Sequence, residues 1–172
     1  AVTSGTCAVM GTASTMAIIA EALGLTLPDT ASIPAVHADR LRAAEETGAR
    51  AAVLANGGPT PRDIITRESV DNALRLLLAV SGSTNAVIHL AAIAGRLGIE
   101  IDPDHFNSLS DSTPVLVNLK PVGDGYMEDF HEAGGVGAVM RELRDLLHGD
   151  TRDITGQTLA ARLQHAPDTQ RD

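Results

Sequence analysis

Aromatic residues are nearly missing from this sequence, which has two phenylalanines, one tyrosine and no tryptophan in 172 residues. A single-stranded nucleic acid would therefore find no stacking platform. Positive charge is scarce as well. Thirteen Lys and Arg face 22 Asp and Glu, and the formal charge of −9 repels a phosphate backbone. The two shortages together exclude nucleic acid as a partner. No apolar run reaches the ~18–20 residues of a membrane helix. The opening AVTSGTCAVM also lacks the charged start of a secretory signal, so no membrane partner is expected and the cytoplasm is the expected compartment. Cysteine occurs once, at Cys7, which excludes an intrachain disulfide and leaves Cys7 unable to complete a metal site alone. The HExxH, CxxC and Walker motifs, and a GxGxxG after a strand, are likewise absent.

What is present is helical periodicity. Ala13, Met16, Ala17, Ile19, Ala20 and Leu23 recur at helical spacing and Gly24 follows, which predicts a helix over 12–23 with a glycine C-cap. A second helix is predicted from about 35 to 47, closed by Gly48, and the apolar run 49–55 is too short to assign. NGGPTP at 56–61 is the strongest turn signal. Further helices are predicted over about 67–79 and 86–97, the latter ended by Gly98, with SGSTN (81–85) breaking the chain between them. Asp102 and Asp104 flank Pro103 at a helical start, and VLVNL after Pro114 is the best strand candidate. Asp124-Gly125 predicts a tight turn, and a last helix is expected over about 137–147. The tail beyond Leu159 is polar and reads as a linker or an end. Alanine before a glycine-containing loop at the N-terminus suggests a chain entered mid-domain.

Three features could carry chemistry. Cys7 sits in SGTCAVMGTAS just before the first helix, where unpaired N–H groups and the helix dipole would favour a thiolate and small neighbours would admit a bulky inorganic group. On the residues alone, a buried structural cysteine is the commoner outcome. Ser83, Thr84 and Asn85 are preferred N-cap residues, and the same helix N-terminus could instead hold a carboxylate or phosphate. The histidines form no cluster by spacing. His89 could reach back four residues to Asn85, and His131 follows the adjacent acids Glu128 and Asp129, which point in different directions.

Four blocks carry a resemblance: SGTCAVMGTASTMAIIAEALGLTLPDTASIPA (4–35), PRDIITRESVDNALRLLLAVSGSTNAVIHLAAIAGRLGIEI (61–101), PVLVNLKPVGDGYMEDFHEAGGV (114–136) and DITGQTL (153–159). In order and spacing they resemble the dihydroxy-acid dehydratase and phosphogluconate dehydratase family, over nearly the whole chain. GTC followed by MGTASTM and EALG looks most like the sugar-acid branch, acting on aldonic acids such as arabinonate or xylonate. The branched-chain amino-acid enzymes, acting on 2,3-dihydroxy acids, are the runner-up.

The resemblance implies an α/β fold, with this chain as a helix-rich segment of a three-layer α/β/α N-terminal domain. Residues 1–159 would be the C-terminal part of that cluster-binding domain and 160–172 a linker or end, with the β-rich C-terminal domain outside the chain. It implies a hydro-lyase that converts a small hydroxy acid to a 2-keto acid, a homo-oligomer when full-length and inactive as this segment alone. The implied cofactors are an iron–sulfur cluster, [2Fe-2S] or [4Fe-4S], held by three cysteines, and Mg2+ held by carboxylates and a carbamylated lysine. Cys7 matches the third cluster cysteine. The Mg2+ ligands and the catalytic serine match nothing here, and Lys120, in NLKP, stands in the wrong context for the modified lysine. The family usually shows two glycines before Ser-Thr-Asn, and Ser81 replaces the first. The alternative on the same residues is a non-catalytic binding or assembly module derived from this fold.

Overall fold

The computed structural model describes residues 7–164. Ser4, Gly5 and Thr6 of the small-residue loop and the polar tail from 165 lie outside the described residues. Nine α-helices account for the regular structure among the described residues: α1 (Thr12–Ala22), α2 (Ala38–Ala55), α3 (Pro61–Ile64), α4 (Arg67–Ala79), α5 (Asn85–Gly95), α6 (Pro103–Ser112), α7 (Met127–Glu132), α8 (Gly135–Glu142) and α9 (Leu159–Leu163), with a 3-10 turn at Arg144–Leu146.

The central element is α4. Thr66 caps it, its hydroxyl accepting from the Ser69 N–H while the Ser69 hydroxyl oxygen accepts from the Thr66 N–H. Val70, Ala73, Leu74, Leu76, Leu77 and Ala79 are all buried, more than one stripe's worth, so α4 is covered on several sides. It packs against α1, α5, α6 and α8. Opposite it, α1 contributes Ile18, Ile19, Ala22 and Leu23, and α8 contributes Val136, Val139 and Met140. Each such Ile, Leu, Val or Met side chain stabilises the fold by about 1.5–3 kcal/mol through burial, and Ala22 by less. Asn72 is the polar exception on α4: fully buried, it donates to the His148 carbonyl at 3.0 Å and the Thr151 hydroxyl at 3.2 Å and accepts from the His148 N–H at 2.8 Å. One amide thereby satisfies itself and pins the 148–151 segment to the core.

The helix-rich expectation holds, with specific corrections. Helix α2 does not close at Gly48 but runs through it to Ala55. A mid-helix glycine costs only about 1 kcal/mol, and ARAAVLA after it is rich in strong helix formers. The stop comes at Asn56-Gly57, where Gly57 has φ of +119°. VLVNL is not a strand. Residues 113–118 take no regular structure and run beside the end of α4, with the Leu116 N–H donating to the Ala79 carbonyl at 2.8 Å, and among the described residues pairing is confined to isolated bridges at Leu119–Gly125 and Arg152–Thr158. Among the described residues no second strand lies alongside to extend a ladder, so β propensity has nothing to pair with. The last long helix starts at Gly135 and gives way to the 3-10 turn, rather than running over 137–147. Residues 160–163, read from the sequence as the start of a linker, are instead in α9, where Arg162 is buried against Glu21.

Candidate functional site

The loop before α1 is held by its neighbours as well as by its own turn, in which the Gly11 N–H donates to the Val9 carbonyl at 2.8 Å. The Met10 N–H donates to the Lys120 carbonyl and the Met127 N–H to the Ala8 carbonyl, at 2.8 and 2.9 Å, so residues 8–10 lie between the 120–127 turn and the start of α1. The turn is closed by Gly125, which exchanges backbone hydrogen bonds with Asn118 and Lys120. Lys120 donates to the Asp124 carbonyl at 2.6 Å and lies 4.2 Å from the centre of the Tyr126 ring. It is a structural lysine of this turn.

Cys7 is half-buried in that loop, five residues before Thr12, and its thiol donates to the Val9 carbonyl at 3.0 Å. Burial by itself pushes the thiol up, but hydrogen bonds from the Ser14 side chain and from the backbone at Val9, Gly11 and Ser14 outweigh it and leave the thiol below its ordinary range. Gly11 is required here, because a Cβ at that position would stand 3.0 Å from the Cys7 sulfur.

Cys7 lines a cavity of about 460 Å3. One wall is the first turns of α1, through Ala13, Ser14 and Ala17; another is residues 30–35; the third is Tyr126, Met127 and Glu128. Arg40 at the start of α2 is the cation on this wall, donating to the carbonyls of Thr30 (3.2 Å) and Ile33. The wall residue Ser32 shares a hydrogen bond with His131 Nδ1 at 3.1 Å, and the His131 ring meets His37 edge-on with centroids 5.7 Å apart. Burial holds the His131 imidazole below its usual range, and nearby His37 adds to this. The adjacent acids of α7 divide as their spacing requires. Glu128 faces the cavity, 4.0 Å from His37 Nε2, while Asp129 turns back to accept from the Tyr126 N–H at 2.7 Å.

SGSTN does not line the cavity, nor do its side chains cap α5: Thr84 occupies the N-cap without a side-chain hydrogen bond. The loop docks on α1 instead. Ser83 Oγ lies 2.9 Å from Thr12 Oγ1, Asn85 donates to Thr12 Oγ1 at 3.1 Å, and the Ser83 N–H donates to Thr15 Oγ1 at 3.0 Å. Gly82 permits this close approach, since a Cβ there would stand 2.7 Å from both Leu77 and Thr15. Ser81 adopts φ of +50°, the left-handed region that its usual glycine would enter freely. His89 is exposed on α5.

A profile of the dihydroxy-acid/6-phosphogluconate dehydratase N-terminal region matches residues 1–162. The chain belongs to this dehydratase family. It is 46% identical over 160 residues to the dihydroxy-acid dehydratase of Methanococcoides burtonii, covering 93% of this chain and 29% of that protein. It is 44% identical over 172 residues to that of Caldanaerobacter subterraneus, covering 99% and 31%. It is 42% identical over 165 residues to the mitochondrial dihydroxy-acid dehydratase of Saccharomyces cerevisiae, covering 95% and 28%. The chain thus spans about 30% of the length of the curated relatives it matches.

The cofactors implied by the family meet this dehydratase segment unequally. A thiol held below its ordinary range, beside a cavity walled by Ala8, Ala13, Ser14 and Ala17 and uncrowded by any side chain at Gly11, fits one ligand position of an iron–sulfur cluster. No group of three or more His, Cys, Asp and Glu among the described residues is placed to hold a metal ion, so the oxygen-rich shell of Mg2+ finds no fit there. No role toward Mg2+ is assigned to this chain. Among the described residues no helix is long and apolar enough to cross a membrane.

Two site residues escaped the sequence reading. Arg40 carries no motif or spacing that singles it out among the arginines. Glu21 had a usable signal, the one charged residue of α1, one turn beyond Ala17 of the cavity wall.

Proposed function

We propose that this chain is the cluster-ligating part of a hydro-lyase that dehydrates a small 2,3-dihydroxy or aldonic acid to a 2-keto acid, with Cys7 as one thiolate ligand of an iron–sulfur cluster. The observation that carries the proposal is Cys7 itself. It is half-buried with its thiol held below the ordinary range, on the wall of a 460 Å3 cavity, in a chain of the dehydratase family. When bound, the cluster would supply an iron able to act as a Lewis acid on a substrate hydroxyl.

The chain's own residues would prepare the place. Ser14 and the backbone at Val9, Gly11 and Ser14 stabilise the Cys7 thiolate. Ala13, Ser14 and Ala17 keep the α1 wall low enough for an inorganic group, and Ile33, Pro34 and Met127 give the cavity an apolar side. Arg40, engaged with the carbonyls of Thr30 and Ile33, holds that wall and brings positive charge to a cavity meant for an anionic substrate.

The remaining ligands, Mg2+ and its carboxylates, and the catalytic groups would come from the other parts of a longer protein, whose full-length form would be a homo-oligomer. Residues 1–159 would belong to its N-terminal domain. The relatives' names favour 2,3-dihydroxy acids over the aldonic acids suggested by GTC and EALG. A ligating thiolate calls for a reducing compartment, which supports the cytoplasm. The test is an assay of 2-keto acid formation by the full-length protein on a panel of 2,3-dihydroxy and aldonic acids. Turnover of one class supports the reading, and no turnover by protein loaded with iron, sulfide and Mg2+ contradicts it.

A further inference from the structure

A buried pair of charges lies behind the cavity wall. The Glu21 side chain is 0% exposed and that of Arg162, 141 residues further along, is 8% exposed; the two are ion-paired. Glu21 also accepts from two backbone N–H groups of the wall loop, Asp29 and Ala31, each at 2.9 Å. Between them Thr30 faces the cavity, as does Ala31. Asp29 stands at φ of +61°, a left-handed conformation that aspartate enters more readily than most non-glycine residues, and its carboxylate lies 3.4 Å from Arg162. The same loop is also gripped by Arg40 at Thr30 and Ile33.

Burying an ion pair contributes little net stability compared with an apolar pair, so stability alone does not account for placing one here. The geometry points to Glu21 and Arg162 as positioning residues: their buried pair fixes residues 29–31, and through them the wall that faces Cys7. The purpose assigned to this wall rests on the cavity being the site proposed above; the clamp itself does not.

Cys7 is the sole cysteine of the chain, so alkylation by iodoacetamide reports on this cavity alone. The 172-residue chain is compared as wild type, Glu21→Gln, Arg162→Met and Arg162→Lys, with the melting temperature, the alkylation rate of Cys7 at one pH, and residue-resolved amide exchange. Opening the wall should raise the alkylation rate roughly tenfold or more in Glu21→Gln and Arg162→Met, because each strands one buried charged or polar group. In both variants the Asp29 and Ala31 amides should lose protection together. Arg162→Lys restores a cation to Glu21 and should stay within about threefold of wild type. A purely structural pair would lower the melting temperature of both variants while leaving the alkylation rate unchanged, and that result would overturn the proposal.

Should the variants not fold, wild-type exchange still decides. Asp29 and Ala31 amides as protected as those of α1 support the clamp, and exchange at open-loop rates refutes it. Neither measurement involves iron or turnover, so a failure of the cluster assignment would leave these outcomes unchanged.

Discussion

The hydroxyl of Thr15 in α1 accepts a hydrogen bond from the backbone N–H of Ser83 at 3.0 Å while donating its own proton to the Gly11 carbonyl at 2.8 Å. One fully buried side chain thus joins two sequence blocks 68 residues apart and fixes the start of the helix that follows Cys7. Thr15→Val keeps the shape but strands the Ser83 N–H, so the variant should be destabilised by about 1–3 kcal/mol. Urea denaturation measures this; a change of no more than a few tenths would show that water or a shifted loop replaces the bond.

Ser81, at φ of +50°, occupies a conformation that costs a non-glycine residue about 1–2 kcal/mol. Ser81→Gly removes that strain and adds some unfolded-state entropy, so a net gain of about 0.5–1 kcal/mol is expected, and Ser81→Val should lose stability. The order Gly above Ser above Val in denaturation midpoints is the check; Val equal to Gly would contradict the backbone assignment.

His131 makes a pH dependence. Burial, and then His37, hold its imidazole below the usual value. The unfolded chain therefore takes up the proton first, at about pH 6.5. The stability His131 contributes is fully present above that pH and is lost as pH falls toward the lower folded value. Stability measured from pH 8 to 5 for wild type and His131→Gln should show the wild-type advantage shrinking as pH falls through 6.5. An advantage that grows on acidification would mean that the charged ring is the favoured form.

Much of the fold was legible because α1, α4 and α5 carry long apolar periods and α6 carries its Asp102-Pro103 start. The Asp102 side chain does accept the Asp104 N–H, at 3.2 Å. Local signals failed where distant partners decide. Gly48 reads as a stop until the helix formers after it are weighed. VLVNL reads as a strand, yet a strand requires a neighbour that no local pattern supplies. SGSTN reads as a cap because its residues are ideal for one, whereas Thr12 and Thr15 on α1 bind them instead.

The candidate site was legible at Cys7 only through the resemblance; composition pointed to a structural thiol. The cavity wall was hidden for a different reason. Arg40, Ser32 and His131 meet through a loop whose path is set by Glu21, and no spacing rule links positions 21, 29, 31 and 162.

The central claim is that Cys7 ligates iron, and the most direct measurement is the iron and acid-labile sulfide content of the full-length protein purified without oxygen, as wild type and as Cys7→Ser. Serine replaces a soft thiolate with a poor iron ligand while preserving size. The account predicts that Cys7→Ser folds but retains only a minor fraction of the wild-type iron and sulfide. A Cys7→Ser protein with the full wild-type complement of both would show that the sulfur on this cavity wall is not a ligand.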